Sequence, residues 1–446
     1  RDAARLERQT GNPQQAKQDY RRAMQLAKLG DGQDDVAYTQ QTRVNAKDDW
    51  LQRSIRSDAE SLYRQQDPTV TLEYDRWGSN GTAGTSDLTA GNVMLETAIP
   101  LQDGRLFFRV DQVHMDAGRI DLSNLRDASD FGSALLCAPN CQYGSEQQSA
   151  NGTALAVGWR RERWEGDLGV TPLGFEVTDW VGGIRTEGDL GKLGWSAVLS
   201  RRPLSNSLLA YAGTVDPNTG EVWGGVRATG VKLGLSADQG GAYGAWSSLQ
   251  YHQLTGENLE DNTRLRVMGG VYHRVIDEPH RRLRVGTNAM YWTFDKDLSG
   301  YTFGQGGYYS PQRYVSLSLP VSYSQRWQDW SLHMEASVGY SWPKSDGGPY
   351  YPTSPDLQQE AVNRSGDTFI NPIYGPGGEP GFGYRARMLV EHRLTPNWFV
   401  GAAFDLEKSD TYTPNHALVY LRYSFDGWSG DLLLPPEPLV PYADFD

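Results

Sequence analysis

No apolar run in this 446-residue chain approaches the ~18 residues that a membrane-crossing helix requires, and the mean hydropathy is −0.59. Helical membrane proteins are thereby excluded. The seven histidines are scattered, without an H-E-x-x-H or other paired metal spacing. "GWSAV", "GYSWP" and "GWSG" lack the strand-turn-helix context of a nucleophile elbow. Phosphate loops, zinc fingers and nucleic-acid-binding patches are also missing. These absences argue against an enzyme, a resident cofactor, a metal site and a nucleic-acid partner.

What is present is alternation. In "VSLSLPVSYSQRWQDWSLHMEASVGYSW", Val315, Leu317, Leu319, Val321 and Tyr323 share one parity, and Leu332, Met334, Ala336, Val338, Tyr340 and Trp342 share another. A period of two marks a strand with one apolar and one polar face. Each run covers about 10 residues where soluble strands have roughly 5 or 6, and five residues separate them. At about 3.3 Å per residue and a tilt near 45°, such a run rises roughly 23 Å, close to the apolar band of an outer-membrane barrel. Fifty glycines, 24 tyrosines and 14 tryptophans suit that fold, and equally suit a large soluble sandwich or propeller. Connection lengths decide between them.

Residues 1–66 read as helical. Ala16, Tyr20, Ala23, Met24 and Ala27 recur at helical spacing, with Asn12 as N-cap, Pro13 at the first helical position and Gly30 as the stop. Gly11, Ala16, Tyr20 and Ala23 match the second helix of a tetratricopeptide repeat, an ordinary helical hairpin being the alternative. A lone repeat cannot bury its own face, so the chain is expected to begin inside a longer array, with any signal peptide upstream. Leu51, Ile55, Ala59 and Leu62 align on a second amphipathic helix that ends before Pro68.

From residue 69 the pattern predicts sixteen strands, at 69–77, 92–100, 105–116, 153–164, 167–173, 176–187, 193–202, 222–236, 242–254, 263–275, 281–294, 313–325, 331–342, 382–393, 397–408 and 416–425. With the helices in the periplasm, connections after even strands are periplasmic. These are short: "LQDGR", "EG", "GDLGK", "ADQGG", "IDEPH", "RWQDW" and "LTPN". Connections after odd strands are mostly long, which is the asymmetry of a membrane barrel and not of a sandwich. The expected fold is therefore an all-β transmembrane barrel of about sixteen antiparallel strands over 67–426. A helical segment over 1–66 precedes it and a Pro-rich tail over 427–446 follows. Sixteen strands leave room for an aqueous channel, and an even count puts both ends on the periplasmic side. Trp327 and Trp330 at one end of a hairpin, with Tyr340 and Trp342 at the other, suit interfacial girdles. Pro320 cannot donate to the ladder, so a bulge is expected there.

Cys137 and Cys141 share one outer loop, where a local disulfide is the first expectation, ahead of two free thiols or a metal site lacking further ligands. His333 and Glu335 have inward parity and could form an acid-base pair, although a polar lumen makes such pairs common. Arg282, Arg284, Trp292, Arg385 and Arg387 are further pore-lining candidates; Arg264, Arg266, Glu73, Asp75 and Glu391 complete an expected lattice of ion pairs. Residues 1–66 carry a net charge of +2, which leaves −15 of the total −13 to the remainder. A conduit for a polyanion should be basic, so a neutral, hydroxyl-rich polymer fits better. The four prolines Pro435, Pro436, Pro438 and Pro441 favour an extended tail. Its Leu439, Val440 and Tyr442 are candidates for a partner contact or for folding back into the pore mouth; a disordered end is the alternative.

"WEGDLGVTPLGF", "RRPLSNSLLAYAG", "FGQGGYYSPQRY" and the Pro-rich tail together resemble the C-terminal region of protein C, the outer-membrane component of bacterial cellulose synthase. The resemblance spans essentially the whole chain. It implies a periplasmic repeat scaffold fused to an export porin through which a β-1,4-glucan leaves the cell. The partners it implies are cellulose or a related glucan, the inner-membrane cellulose synthase complex, peptidoglycan and outer-membrane lipid. It implies that the tail approaches the periplasmic entrance and that outer loops gate the exit, with Tyr308, Tyr309, Gln312 and Arg313 near that exit. The chain lacks a long repeat array, which leaves scaffold functions outside it. Other readings kept open are a general diffusion porin, an outer-membrane hydrolase, and exporters of alginate or poly-N-acetylglucosamine.

Overall fold

A computed structural model of the protein describes residues 1–30, 34–408 and 415–445. Four helices come first: α1 (Asp2–Gln9), α2 (Pro13–Leu26), α3 (Asp35–Gln41) and α4 (Trp50–Gln66). Pro13 opens α2, but the Asn12 side chain makes no cap and donates instead to Glu7. The capping residue that sequence reading missed is Asp49, whose carboxylate accepts from the Gln52 N–H at 2.8 Å while Gln52 reaches back to the Asp49 N–H. Ala16, Tyr20, Ala23 and Met24 of α2 pack with Ile55, Ala59 and Leu62 of α4; Leu51 stays partly exposed. Arg1 and Arg5 clamp Asp58 on α4. Burial opposes ionisation of Asp58, yet the hydrogen bonds from Arg5 and Arg1 outweigh it and hold the carboxyl below its ordinary value.

Sixteen long strands follow among the described residues: β1 (Thr69–Ser79), β2 (Leu88–Leu101), β3 (Gly104–Arg119), β4 (Gln147–Arg161), β5 (Trp164–Leu173), β6 (Trp180–Leu190), β7 (Leu193–Pro203), β8 (Val222–Ala237), β9 (Tyr243–Glu257), β10 (Asn262–Glu278), β11 (Arg281–Phe294), β12 (Arg313–Arg326), β13 (Trp330–Lys344), β14 (Gly381–Arg393), β15 (Trp398–Lys408) and β16 (Asn415–Ser424). Each pairs antiparallel with its neighbour, and β16 returns to β1 in register from Thr69 opposite Ser424 to Gly78 opposite Asn415. The sheet is a closed barrel with no edge left unpaired. Leu317, Leu319, Val321, Met334 and Val338 are exposed on the outside, while the polar parity faces inward. That is the reverse of a soluble core and suits a lipid environment.

The two rims differ. Beside the helices, even-numbered strands turn within two to five residues; the described connections at the other rim run to 36 residues at 345–380. These loops carry α5 (Leu125–Ser129), α6 (Leu208–Ala212) and α7 (Pro355–Thr368). We call the two ends the helix rim and the loop rim.

Two local expectations are overturned. The turn expected at "EG" lies at Glu162 and Arg163 instead, with Trp164 already in β5, and β6 begins at Trp180. Pro320 makes no bulge: β12 pairs with β13 without a register shift, and only the ladder to β11 is interrupted, between Val285 and Asn288. The same register sets Pro320 opposite Gly286, where the neighbouring strand, through Val271 and Tyr272, leaves no room for a side chain. The missing donor thus faces one neighbour and leaves the other ladder intact. Bulges fall elsewhere, for example between Arg274 and Ile276.

Candidate functional site

The candidate site is the barrel lumen. Its wall changes character along the axis. Near the loop rim Leu88, Ala90, Val113, Met115 and Ala117 of β2 and β3 point inward and pack against Leu208, Tyr211 and Ala212 of α6. Ser207 caps this short helix and Gly213, at φ 73°, ends it in a conformation that disfavours larger residues. The connection 204–221 therefore folds into the barrel. Above it Ile120, Phe131, Leu135, Trp223, Phe303 and Tyr351 join the long loops in one buried cluster. Burial pushes the Tyr350 hydroxyl at its edge up to about 12. Cys137 and Cys141, in the 120–146 loop, are joined as a disulfide.

Farther toward the helix rim the same wall becomes ionic. Arg109, 1% exposed, bonds Asp111 at 2.5 Å and approaches Glu96 at 3.4 Å. Arg202 grips Asp167 through both terminal nitrogens at 2.7 and 2.6 Å, Arg422 meets Glu391 at 2.8 Å, and Arg385 meets Asp405 at 2.5 Å. These pairs place Arg385 and Glu391 within a lattice of ion pairs. Arg282 and Arg284 behave otherwise: Arg282 donates to a tail carbonyl, and Arg284 lies 5.4 Å from the centre of the Tyr272 ring.

The tail is not an outer appendage. It leaves β16 beneath the helices, where Trp428 and Leu432 join the core of α2 and α4 and Arg64 sits over the Trp428 ring at 4.1 Å. Arg43 donates to the Ser429 carbonyl at 2.7 Å, and Arg393 to the carbonyls of Trp428 and Gly430 at 3.2 and 2.7 Å. The chain then crosses the mouth. Arg326 donates to the Leu432 carbonyl, Ser331 to Leu433 and Arg282 to Leu434. It continues up the opposite wall: the Leu439 N–H donates to Glu73 at 2.8 Å, the Val440 carbonyl accepts from Arg109 at 2.6 Å, and the Tyr442 N–H donates to Asp111 at 2.8 Å. The Tyr442 hydroxyl donates to Asp167, and the Phe445 carbonyl accepts from Arg202. At its far end Ala443 joins the cluster around α6. Tail and inserted loop thus meet inside the barrel.

The remaining candidates are distributed around the wall. Arg284, Ser322, Glu335 and Arg387 form one inward row across β11 to β14. His333 shares a hydrogen bond with Ser324 at 2.8 Å and stands 3.9 Å from Glu335. Tyr308 is buried at 2% exposure, packed with Phe294 and Leu298, and its hydroxyl accepts from Asn262. Gln312 bonds the Ser310 carbonyl and the Asp346 N–H, while Arg313 is exposed at the start of β12. Tyr309 meets Trp292 and Tyr314 with ring centres 6.0 to 6.3 Å apart, all steeply inclined to one another. Sequence reading missed Tyr314 and the acidic partners Asp111 and Asp167, although inward parity on their strands was the available signal. The α6 insertion was also missed; its only trace was the short apolar run "LLAYA" after Ser207.

A profile of the cellulose synthase operon protein C C-terminus matches residues 86–426. Cellulose synthase operon protein C of Escherichia coli K12 is 48% identical over the whole chain, which spans 38% of that relative's length. The protein of the same name from Xanthomonas axonopodis pv. citri is 34% identical over 73% of the chain and 22% of its own length. Among solved structures, a bacterial polysaccharide outer membrane secretin superposes at a TM-score of 0.50 and 11% identity, covering 80% of this chain and 98% of its own. That likeness concerns the fold, a barrel of the outer-membrane kind. The chain belongs to the cellulose synthase operon protein C family and corresponds to its C-terminal region.

Proposed function

We propose that this chain is the outer-membrane channel through which a β-1,4-glucan leaves the cell. The observation that carries the reading is the lumen of a sixteen-strand barrel in a cellulose-operon family. Its space is partly occupied by folded-in segments, the tail and α6, where a narrower barrel would be filled by wall side chains. Such segments can leave without unfolding the wall. In this reading the helix rim faces the periplasm, the long loops face outward, and the structure represents the closed state.

The polymer would arrive from an inner-membrane cellulose synthase complex. The helical segment would connect to a periplasmic scaffold that also touches peptidoglycan, and lipid would surround the apolar outer face. Trp292, Tyr309 and Tyr314 offer an aromatic corner on the path toward the loop rim, next to Arg313. Tyr308 and Gln312 act behind it as support. Leu439, Val440 and Tyr442 hold the tail as a plug. The chain contributes passage, not chemistry.

Planar-bilayer conductance tests the proposal. Cello-oligosaccharides added on the helix side should reduce the current more than equal amounts of maltodextrins. A well-conducting pore without that preference would favour a general diffusion porin.

A further inference from the structure

The lipid-facing side of the barrel is not uniform. On β12 five successive outward positions are apolar, from Val315 to Tyr323; on β3 only three are, Leu106, Phe108 and Val110, before Gln112, His114 and Asp116 follow toward the loop rim. Phe108 and Val110 are exposed, and Val113, Met115 and Ala117 between the polar positions point inward to α6, so the polar residues lie on the outer face. Two missing layers shorten the apolar band by about 9 Å, at 3.3 Å per residue and a tilt near 45°.

Register carries this change across four strands. Arg76 on β1 stands opposite Gly91 on β2, Gly91 opposite His114, and His114 opposite Asn151 on β4; one row nearer the helix rim, Gln112 stands opposite Thr153. The Thr153 hydroxyl donates to the Gln112 side-chain carbonyl at 2.5 Å, and Nδ1 of His114 shares a hydrogen bond with Oδ1 of Asn151 at 2.5 Å. These bonds use the two amide oxygens and leave both amide NH2 groups without an acceptor among the described residues. Arg76 is exposed and meets no described carboxylate. Asp116, by contrast, already accepts from the Gly118 N–H at 2.7 Å and from Gln147 at 3.0 Å.

The patch therefore offers uncommitted donors and one unpaired positive charge where the rest of the wall offers hydrocarbon. Lipid tails supply no acceptor for them. A second copy of the chain, related by a twofold axis, would set the same donors against one another. The complementary cover is rich in acceptors and negatively charged. A phosphorylated glycolipid headgroup has both properties: phosphate oxygens match a guanidinium, and sugar and acyl-amide oxygens match the amide donors.

We propose that this outer face of β1–β4 is a binding site for the headgroup of an anionic glycolipid, with Arg76 on its phosphate and Gln112 and Asn151 on its sugar and amide oxygens. The proposal takes from the export reading only the outward orientation of the loop rim, which sets the patch in the outer leaflet.

The test titrates the full chain in detergent micelles with bisphosphorylated lipid A and, separately, with phosphatidylglycerol, which carries a phosphate but no sugar. Native mass spectrometry should show lipid A retained at concentrations at least fivefold below those that phosphatidylglycerol requires. Arg76→Leu and Asn151→Leu should each weaken that retention at least threefold. Folding is verified by the heat-dependent gel mobility of an intact barrel, and if one variant fails that check the other carries the test. Folded variants that hold lipid A as the parent does overturn the site, as does a parent that holds phosphatidylglycerol equally well. Disulfide-linked dimers of Gln112→Cys in bilayers containing lipid A would assign the surface to a second copy and overturn it too. Block of the bilayer current by cello-oligosaccharides, recorded on the same proteins, should persist in every variant; its absence from a parent that retains lipid A overturns the export reading and leaves the glycolipid site standing.

Discussion

The backbone N–H of Tyr442 donates to Asp111 across 2.8 Å inside the barrel, joining residues 331 positions apart. With Leu439 on Glu73 and Val440 on Arg109, this bond pins the last residues of the chain to the first strands. The tail spends backbone groups on wall side chains and also buries the side chains of Trp428, Leu432 and Tyr442, so both its path and these residues fix its position.

Removing residues 436–446 should therefore open the pore. Single-channel conductance in planar bilayers is expected to rise severalfold, with the wall intact by gel mobility. Equal conductance before and after truncation would mean that the tail does not limit flow.

Arg393 anchors the start of the tail. Its side chain is 3% exposed and donates to the carbonyls of Trp428 and Gly430 and to Asp329. Arg393→Ala should destabilise the closed form by about 2 kcal/mol, below the larger figures for fully buried pairs because Asp329 is 44% exposed. Increased protease cleavage within 426–434 is the expected readout; an unchanged digestion pattern would remove Arg393 from the anchor.

At Pro320 the prediction runs the other way. Only the ladder toward β11 is interrupted, so Pro320→Thr restores a donor facing that strand. The barrel should gain about 1 kcal/mol, read as a higher temperature for the gel-mobility shift. A lower transition temperature would show that the interruption is required.

Acid should loosen the helical segment. Asp58 has a folded-state pKa held below its ordinary value, so its stabilising contribution is present above about pH 3.9 and is lost as the pH falls through the folded value. Detachment of α1 from α4 is the expected first event, followed by hydrogen exchange in residues 2–9. Asp58→Asn should flatten this dependence; an identical acid profile in the variant would point to other groups.

The sequence by itself determined the barrel. Alternation with period two, strand lengths suited to a membrane and alternating short and long connections are local properties, written in consecutive residues. They place sixteen strands in order and orient Arg385, Glu391 and their neighbours inward, because parity fixes the face of each side chain. Closure of β1 on β16 follows from the count. Tertiary structure alone decided what occupies the interior. Nothing in "LLAYA" states that it inserts into the lumen, and nothing in "PLVPYADF" names Glu73, Arg109 or Asp111 as partners. Those matches join segments hundreds of residues apart, and on the tail's side three of them use backbone groups, which carry no residue-specific signal. The same reason hid Tyr308, whose tyrosine-rich surroundings resemble a binding surface until packing with Phe294 and Leu298 buries it. Strand periodicity is a short-range code; the filling of a cavity is settled only when the walls, the loops and the tail compete for the same space.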